Sequence, residues 1–268
     1  MTLINSFDRK IIKIYLIVIS VIFIHCNQSV ASSPENDLII GEMTDVDGNT
    51  YKTITIGKQI WMAENLRVTR YNDGEKINQI NEITTWGLDT IGAYCFYNNT
   101  ANVDTIQMYG ALYNYYVVAS NKIAPPGWRV PSKEDWEELI SFLILHKYNW
   151  DKTLGENKVG KALASQSDWD TLSRHGIIGN NLLENNSTGF CAYPGGRRLY
   201  RGTRTYTVPQ EDNGFEHAGE ECNWWTSSGN VYSAPFYSLW YSDDKLIFGS
   251  TNGLTAGFSI RLIKTEMN

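Results

Sequence analysis

From Tyr51 to Ile56 the chain is rich in β-branched residues, and Gly48 and Gly57 flank it where tight turns demand a positive φ. With Gln59-Ile60-Trp61-Met62 following, residues 45–62 read as turn, strand, turn, strand. The period then changes. Between Tyr109 and Ser120, Leu112, Tyr115, Tyr116 and Ala119 fall on one face of a helix. The clearest helix follows Pro131-Ser132: Ser132 and Asp135 form a Ser-x-x-acid cap, and Trp136, Leu139, Ile140 and Leu143 recur at helical spacing. A short helix is predicted over Asn157 to Ala164. Gly and Asn punctuate the chain densely from Gly176 to Gly229, and Trp240 to Gly249 and Phe258 to Ile263 read as late strands. Hairpin, helix, helix, then many strands is not the alternation of a doubly wound sheet. It predicts an α+β domain with a mixed, mostly antiparallel sheet, two main helices and long loops.

Ahead of this pattern, Arg9, Lys10 and Lys13 precede an uncharged apolar run from Ile14 to Ile24, the layout of an export signal. The run falls short of the roughly 20 apolar residues that a spanning helix needs. Residues 1–31 are therefore expected to be a signal peptide with two competing cleavage sites. Cys26 stands where a lipoprotein signal places its lipid-accepting cysteine, although His25 occupies a position normally held by a small residue. Ser29-Val30-Ala31 offers an ordinary cleavage after Ala31. Residues 32–44 suit a tether, and 45–264 form one folded domain.

Removing the signal leaves roughly 240 residues, enough to bury a core without staples. The net charge of −6 and the scattered Lys and Arg residues exclude the basic stripe of a nucleic-acid binder. An oxidising compartment permits one disulfide among Cys95, Cys191 and Cys222. No Cys-x-x-Cys occurs and His146, His175 and His217 are far apart, so neither a metal nor a cofactor is predicted. Asp45-x-Asp47-x-Asn49 has calcium-loop spacing, but Ile56 stands where such a loop needs a bidentate Glu, and a turn is expected instead. Glu134, Asp135, Glu137 and Glu138 complement the dipole at a helix start and need no catalytic explanation.

Six blocks in order carry a resemblance. They are Asp47-Gly48-Asn49-x-Tyr51; Ile56-Gly57-x-Gln59-x-Trp61-Met62-Ala63-x-Asn65-Leu66-Arg67; Tyr109-Gly110-x-Leu112-Tyr113-Asn114; Pro126-Gly127-Trp128-Arg129-Val130-Pro131; Trp225-Thr226-Ser227-Ser228; and Gly257-Phe258-Ser259-Ile260-Arg261. Together they resemble the Fibrobacter succinogenes major paralogous domain, a family common in exported lipoproteins. The resemblance implies a C-type lectin-like fold, in its formylglycine-generating-enzyme branch, and favours a lipid on Cys26 with an outer-membrane or cell-surface location. A periplasmic or secreted protein is the alternative.

Three functions can be weighed against the residues. An oxidase of the formylglycine-generating type needs a closely spaced reactive cysteine pair, which is missing. A calcium-dependent lectin needs Glu-Pro-Asn or Gln-Pro-Asp with Trp-Asn-Asp, and none of these triplets occurs. A calcium-free binding surface stays open. Its densest candidate is the Tyr193 to Tyr206 stretch, where Arg197, Arg198, Tyr200, Arg201, Arg204 and Tyr206 put planar donors beside rings and suit polar or acidic ligands. Trp224 and Trp225, adjacent on a strand, point to opposite sides. Because Trp225 lies in the resembling block Trp225-Thr226-Ser227-Ser228, the resemblance implies that Trp225 is the core residue and Trp224 the contact candidate. No catalytic residue is assigned. The expected role is an exported envelope binding module for a glycan or a partner protein, with a secreted hydrolase or another enzyme on a lectin-like scaffold as the alternative.

Overall fold

The computed structural model describes residues 40–202, 213–230 and 232–265. The expected signal peptide with Cys26 and Ala31, the tether up to residue 39, and Arg204 and Tyr206 lie outside the described residues.

Strands β1 (Ile40–Thr44), β2 (Thr50–Ile56) and β3 (Gln59–Met62) form an antiparallel meander. The first turn is built by Asp45. One carboxylate oxygen accepts the N–H groups of Asp47 and Asn49, and the other accepts the Asn49 amide and the Tyr51 hydroxyl at 2.6 Å. Both oxygens are thus occupied by the turn's own donors, as the turn reading expects. Gly57, at φ +63°, opens the second turn, in which Ile56 pairs directly with Gln59.

The chain then runs through β4 (Asn78–Gln79), α1 (Ile83–Leu88), β5 (Ala93–Phe96), α2 (Val103–Tyr109), β6 (Ala111–Tyr113), α3 (Tyr115–Ala119) and β7 (Trp128–Arg129). The expected helix from Tyr109 to Ser120 is only half present. Gly110, at φ +72°, ends α2, and the residues after it pair with β5 and bridge to Phe258 before the chain turns helical at Tyr115. A short apolar run fits either period, and here non-local pairing decided. The N-caps of α1 and α2, Glu82 and Asn102, accept backbone N–H groups through their side chains.

Helix α4 (Lys133–Leu145) starts where its pattern places it. Ser132 accepts the Asp135 N–H, Asp135 accepts the Ser132 N–H, and the same carboxylate receives a fork from Arg129. Trp136, Leu139 and Leu143 are buried on its inner face. Gln59 ties this helix to the first sheet, donating to the Asp135 carbonyl and accepting from the Trp61 indole.

After α5 (Gly160–Leu163) come β8 (Gly195–Arg198), β9 (Phe215–Ala218), β10 (Glu221–Trp225), β11 (Ala234–Trp240), β12 (Ile247–Thr251) and β13 (Ile263–Lys264). Two expected late strands differ. Trp240 to Gly249 is mostly a turn between β11 and β12, held by Asp243 accepting the N–H groups of Asp244 and Lys245. Phe258 to Ile263 is extended but makes isolated bridges, to Tyr113 and Trp224, before β13 begins.

Three sheets result, ordered β1-β2-β3-β13-β7, β12-β11-β10-β8-β9 and β4-β5-β6, with parallel pairing only at β8–β10 and β4–β5 among the described ladders. The architecture is α+β, as the order of elements predicts. Central strand β10 separates two apolar clusters. Cys222 and Trp224 enter one with Trp61, Trp136 and Phe190, and Trp225 enters the other with Tyr113, Tyr115 and Phe258.

Candidate functional site

Strands β8, β9 and β10 bring distant charged residues onto one face. Register sets Arg197 opposite Glu216, whose carboxylate receives Arg197 at 3.2 Å on one oxygen and Arg201 at 2.9 Å on the other. Burial pushes the Glu216 pKa up, but the Arg201 hydrogen bond and the charges of Arg201 and Arg197 outweigh it and carry the group below its usual range. His217 bonds Glu220 through Nδ1 at 2.5 Å. The half-exposed ring of Trp240 lies edge-on to His217 at 5.2 Å, with the Arg197 guanidinium 5.8 Å from the indole.

Glu221 pairs with Trp240 across β10 and β11, and its side chain is fully buried. Arg197 Nε approaches one of its oxygens at 3.1 Å, and the Asn223 side chain adds a smaller interaction that also favours the charged form. Burial raises the Glu221 pKa, and the Arg197 charge offsets only part of this. A raised native pKa means that the folded chain holds a proton the unfolded chain has released. Its stabilising contribution is complete below the ordinary value of 4.5 and is lost as pH rises through the native value. The stability of Glu221→Gln relative to wild type should therefore increase on going from about pH 4 to about pH 8 in urea titrations. A flat difference would show that Glu221 titrates alike in the folded and unfolded chain.

Of the described residues singled out in the sequence, only Arg197 and Arg201 share this face. Arg198 is fully buried and donates to the carbonyls of Ile80, Asn81 and Asn213 at 2.7, 2.6 and 3.2 Å, between the rings of Trp86 and Phe215. It clamps α1 to the β9 region and offers nothing to a ligand. Tyr200 packs on Gly87, where an added Cβ would sit 2.1 Å from the tyrosine ring. Trp224 is a correction: it does point away from Trp225, but β10 has an apolar cluster on each side, so both rings are buried. Its indole N–H donates to Asn65 at 3.0 Å. Glu216, His217, Glu221 and Trp240 were not foreseen. The sequence signal available was Glu216-His217 with Glu220-Glu221 close behind, but the pairing that joins them to Arg197 and Trp240 is non-local.

Cys95 and Cys222 are buried free thiols, and Cys191 is in a disulfide, so no bond forms among these three. Burial pushes the Cys95 thiol up to about 12, against a lowering influence from Arg198, and the Cys222 thiol well above its usual value. Both are held protonated, the opposite of a reactive thiolate. Among the described residues, no group of three or more His, Cys, Asp or Glu is placed to hold a metal ion.

Residues 54–264 match the family model of the Fibrobacter succinogenes major domain. The chain belongs to this family. No curated protein and no solved structure matches it. The residues that carry the family likeness are mostly buried: Trp61, Met62, Leu66, Tyr113, Trp225 and Ile260 are all completely enclosed, and Asn65 and Arg261 nearly so. In this member, the Fibrobacter succinogenes major domain signature specifies a core. The partly exposed charged face of β8 to β10 is drawn from residues outside the six blocks.

Proposed function

We propose that the chain is an extracytoplasmic binding module that uses the β8–β10 face to hold a glycan, without catalysis. The observation that carries this reading is the half-exposed Trp240 ring framed by Arg197, His217 and the carboxylates of Glu216 and Glu220. An indole offers a flat apolar surface to a sugar face, and the surrounding donors and acceptors suit hydroxyl groups. The basic apolar start of the chain supports export, and Cys26 is the residue proposed to carry a lipid anchor.

The test uses the exported full chain with a panel of immobilised polysaccharides. Retention of the wild type, weakened about ten-fold or more in Trp240→Ala, is the expected result, the size anticipated for losing a stacked ring. Failure of every polysaccharide to retain the protein would remove the glycan reading. In the same preparation, palmitate label should appear on the wild type and vanish in Cys26→Ala. An unlabelled wild type would leave cleavage after Ala31.

A further inference from the structure

Beside the charged face runs a strip of tyrosines set on bare backbone. An added Cβ on Gly195 would lie 3.3 Å from Tyr109 Cβ, and one on Gly196 would lie 2.7 Å from the Tyr97 ring. These consecutive glycines thus carry two neighbouring rings in direct contact with the main chain. Tyr193 stands just before them, its carbonyl accepting the Gly195 N–H at 2.9 Å. All three tyrosines are partly exposed. Asp168 is exposed, at φ +69°, and its charge acts on both Tyr109 and Tyr193, while Glu216 and Glu220 act on Tyr97. Half-exposed tyrosines thus lie along the glycines, with Asp168 near Tyr109 and Tyr193 and with Glu216 and Glu220 near Tyr97.

The arginines beside it are already committed. Arg197 pairs with Glu216 and Glu221, Arg201 pairs with Glu216, and Arg198 is enclosed by carbonyls and rings. An acidic ligand would find its positive partners neutralised and would face Asp168 and Glu220. Uncharged hydroxyls meet the opposite situation, because carboxylates accept from them and tyrosine faces stack on the ring that bears them.

We propose that Tyr193, Tyr109 and Tyr97, floored by Gly195 and Gly196 and bordered by Asp168, form the subsite for a neutral polysaccharide chain, bound without calcium. This rests on the glycan reading above and assigns both the ligand's charge and its track. It also narrows the expectation, drawn from the Arg-rich stretch, of a polar or acidic ligand to a neutral polar one.

The probes are immobilised amylose, cellulose, mannan and xylan, with polygalacturonate as the acidic counterpart. At least one neutral polymer should retain the full chain, polygalacturonate should not, and a calcium chelator should change nothing. Tyr109→Ala and Tyr193→Ala should each weaken retention about ten-fold, the scale of one lost aromatic contact. Because truncating a half-buried ring can disturb folding, Asp168→Asn at an exposed loop position is the second variant, with an expected loss of about three-fold for one weakened charge-assisted hydrogen bond. Equal or stronger retention on polygalacturonate would overturn the proposal. So would wild-type binding by the tyrosine variants and Asp168→Asn while Trp240→Ala loses it, an outcome that spares the broader glycan reading. No retention on any polymer would sink both.

Discussion

Trp136→Ala should cost about 3–5 kcal/mol, a large share of the roughly 5–15 kcal/mol that stabilises an ordinary domain. The ring is completely buried where α4 meets two sheets, with centroids 4.6 Å from Trp61, 5.2 Å from Tyr237 and 5.6 Å from Trp224. Those neighbours belong to three different elements, so none can close the space without moving its own partners. Trp136→Phe should cost far less, about 1 kcal/mol, for a reason specific to this site. The Trp136 indole nitrogen is buried with no hydrogen-bond partner among the described residues, and phenylalanine removes that donor while keeping most of the ring. Urea denaturation of the three proteins provides the check. A Phe variant as damaged as the Ala variant would mean that the indole makes a hydrogen bond to water or to a group not yet identified.

The environment of Trp136 also shows which parts of this fold are legible in the sequence. Helix α4 is readable because its signals are local: Ser132, Asp135 and the apolar spacing all lie within a few turns. The β2–β3 hairpin is readable for the same reason, with Gly57 supplying the turn. Residues 109–120 are not, because β6 owes its conformation to β5 and to Phe258, far away in the chain. The charged face of β8 to β10 divides likewise. Arg197 and Arg201 stand out in composition, but Glu216 and Trp240, which occupy and frame them, arrive only through strand pairing. Trp224 is the instructive miss. Alternation along a strand states that neighbours face opposite ways, and it says nothing about whether the second side is solvent or a second core.

Arg261 closes the other end of the same cluster, and Arg261→Ala should be as damaging as Trp136→Ala, about 4 kcal/mol or more. Its guanidinium is almost completely buried, donating to Asn65 Oδ1 at 2.8 Å, to the Cys191 carbonyl at 3.0 Å and to the Phe190 carbonyl. The Phe190 ring lies 4.3 Å from it and Trp224 5.5 Å. Among the described residues no carboxylate lies within ion-pair distance, so carbonyls, an amide and two rings hold the charge, and burial lowers the pKa to about 10. Alanine would leave the Phe190 and Cys191 carbonyls unpaired in a dry interior and open a cavity between the rings. Arg261→Lys separates the two causes. It keeps the charge and much of the stem, but one ammonium cannot reproduce a planar fork reaching three acceptors, so a loss of about 2–3 kcal/mol is expected. Full stability in the lysine variant would show that charge near the aromatic rings, and not the geometry of the fork, is what the site requires. Asn65 adds a second readout, because its Oδ1 also accepts the Trp224 indole N–H. When the guanidinium is removed, the Trp224 ring loses a face-on partner, and the Asn65 acceptor that positions it loses one of the two donors that hold it in place. Tryptophan fluorescence of Arg261→Ala in the native baseline should therefore shift before any global unfolding, and Arg261→Lys should fall between that spectrum and the wild type.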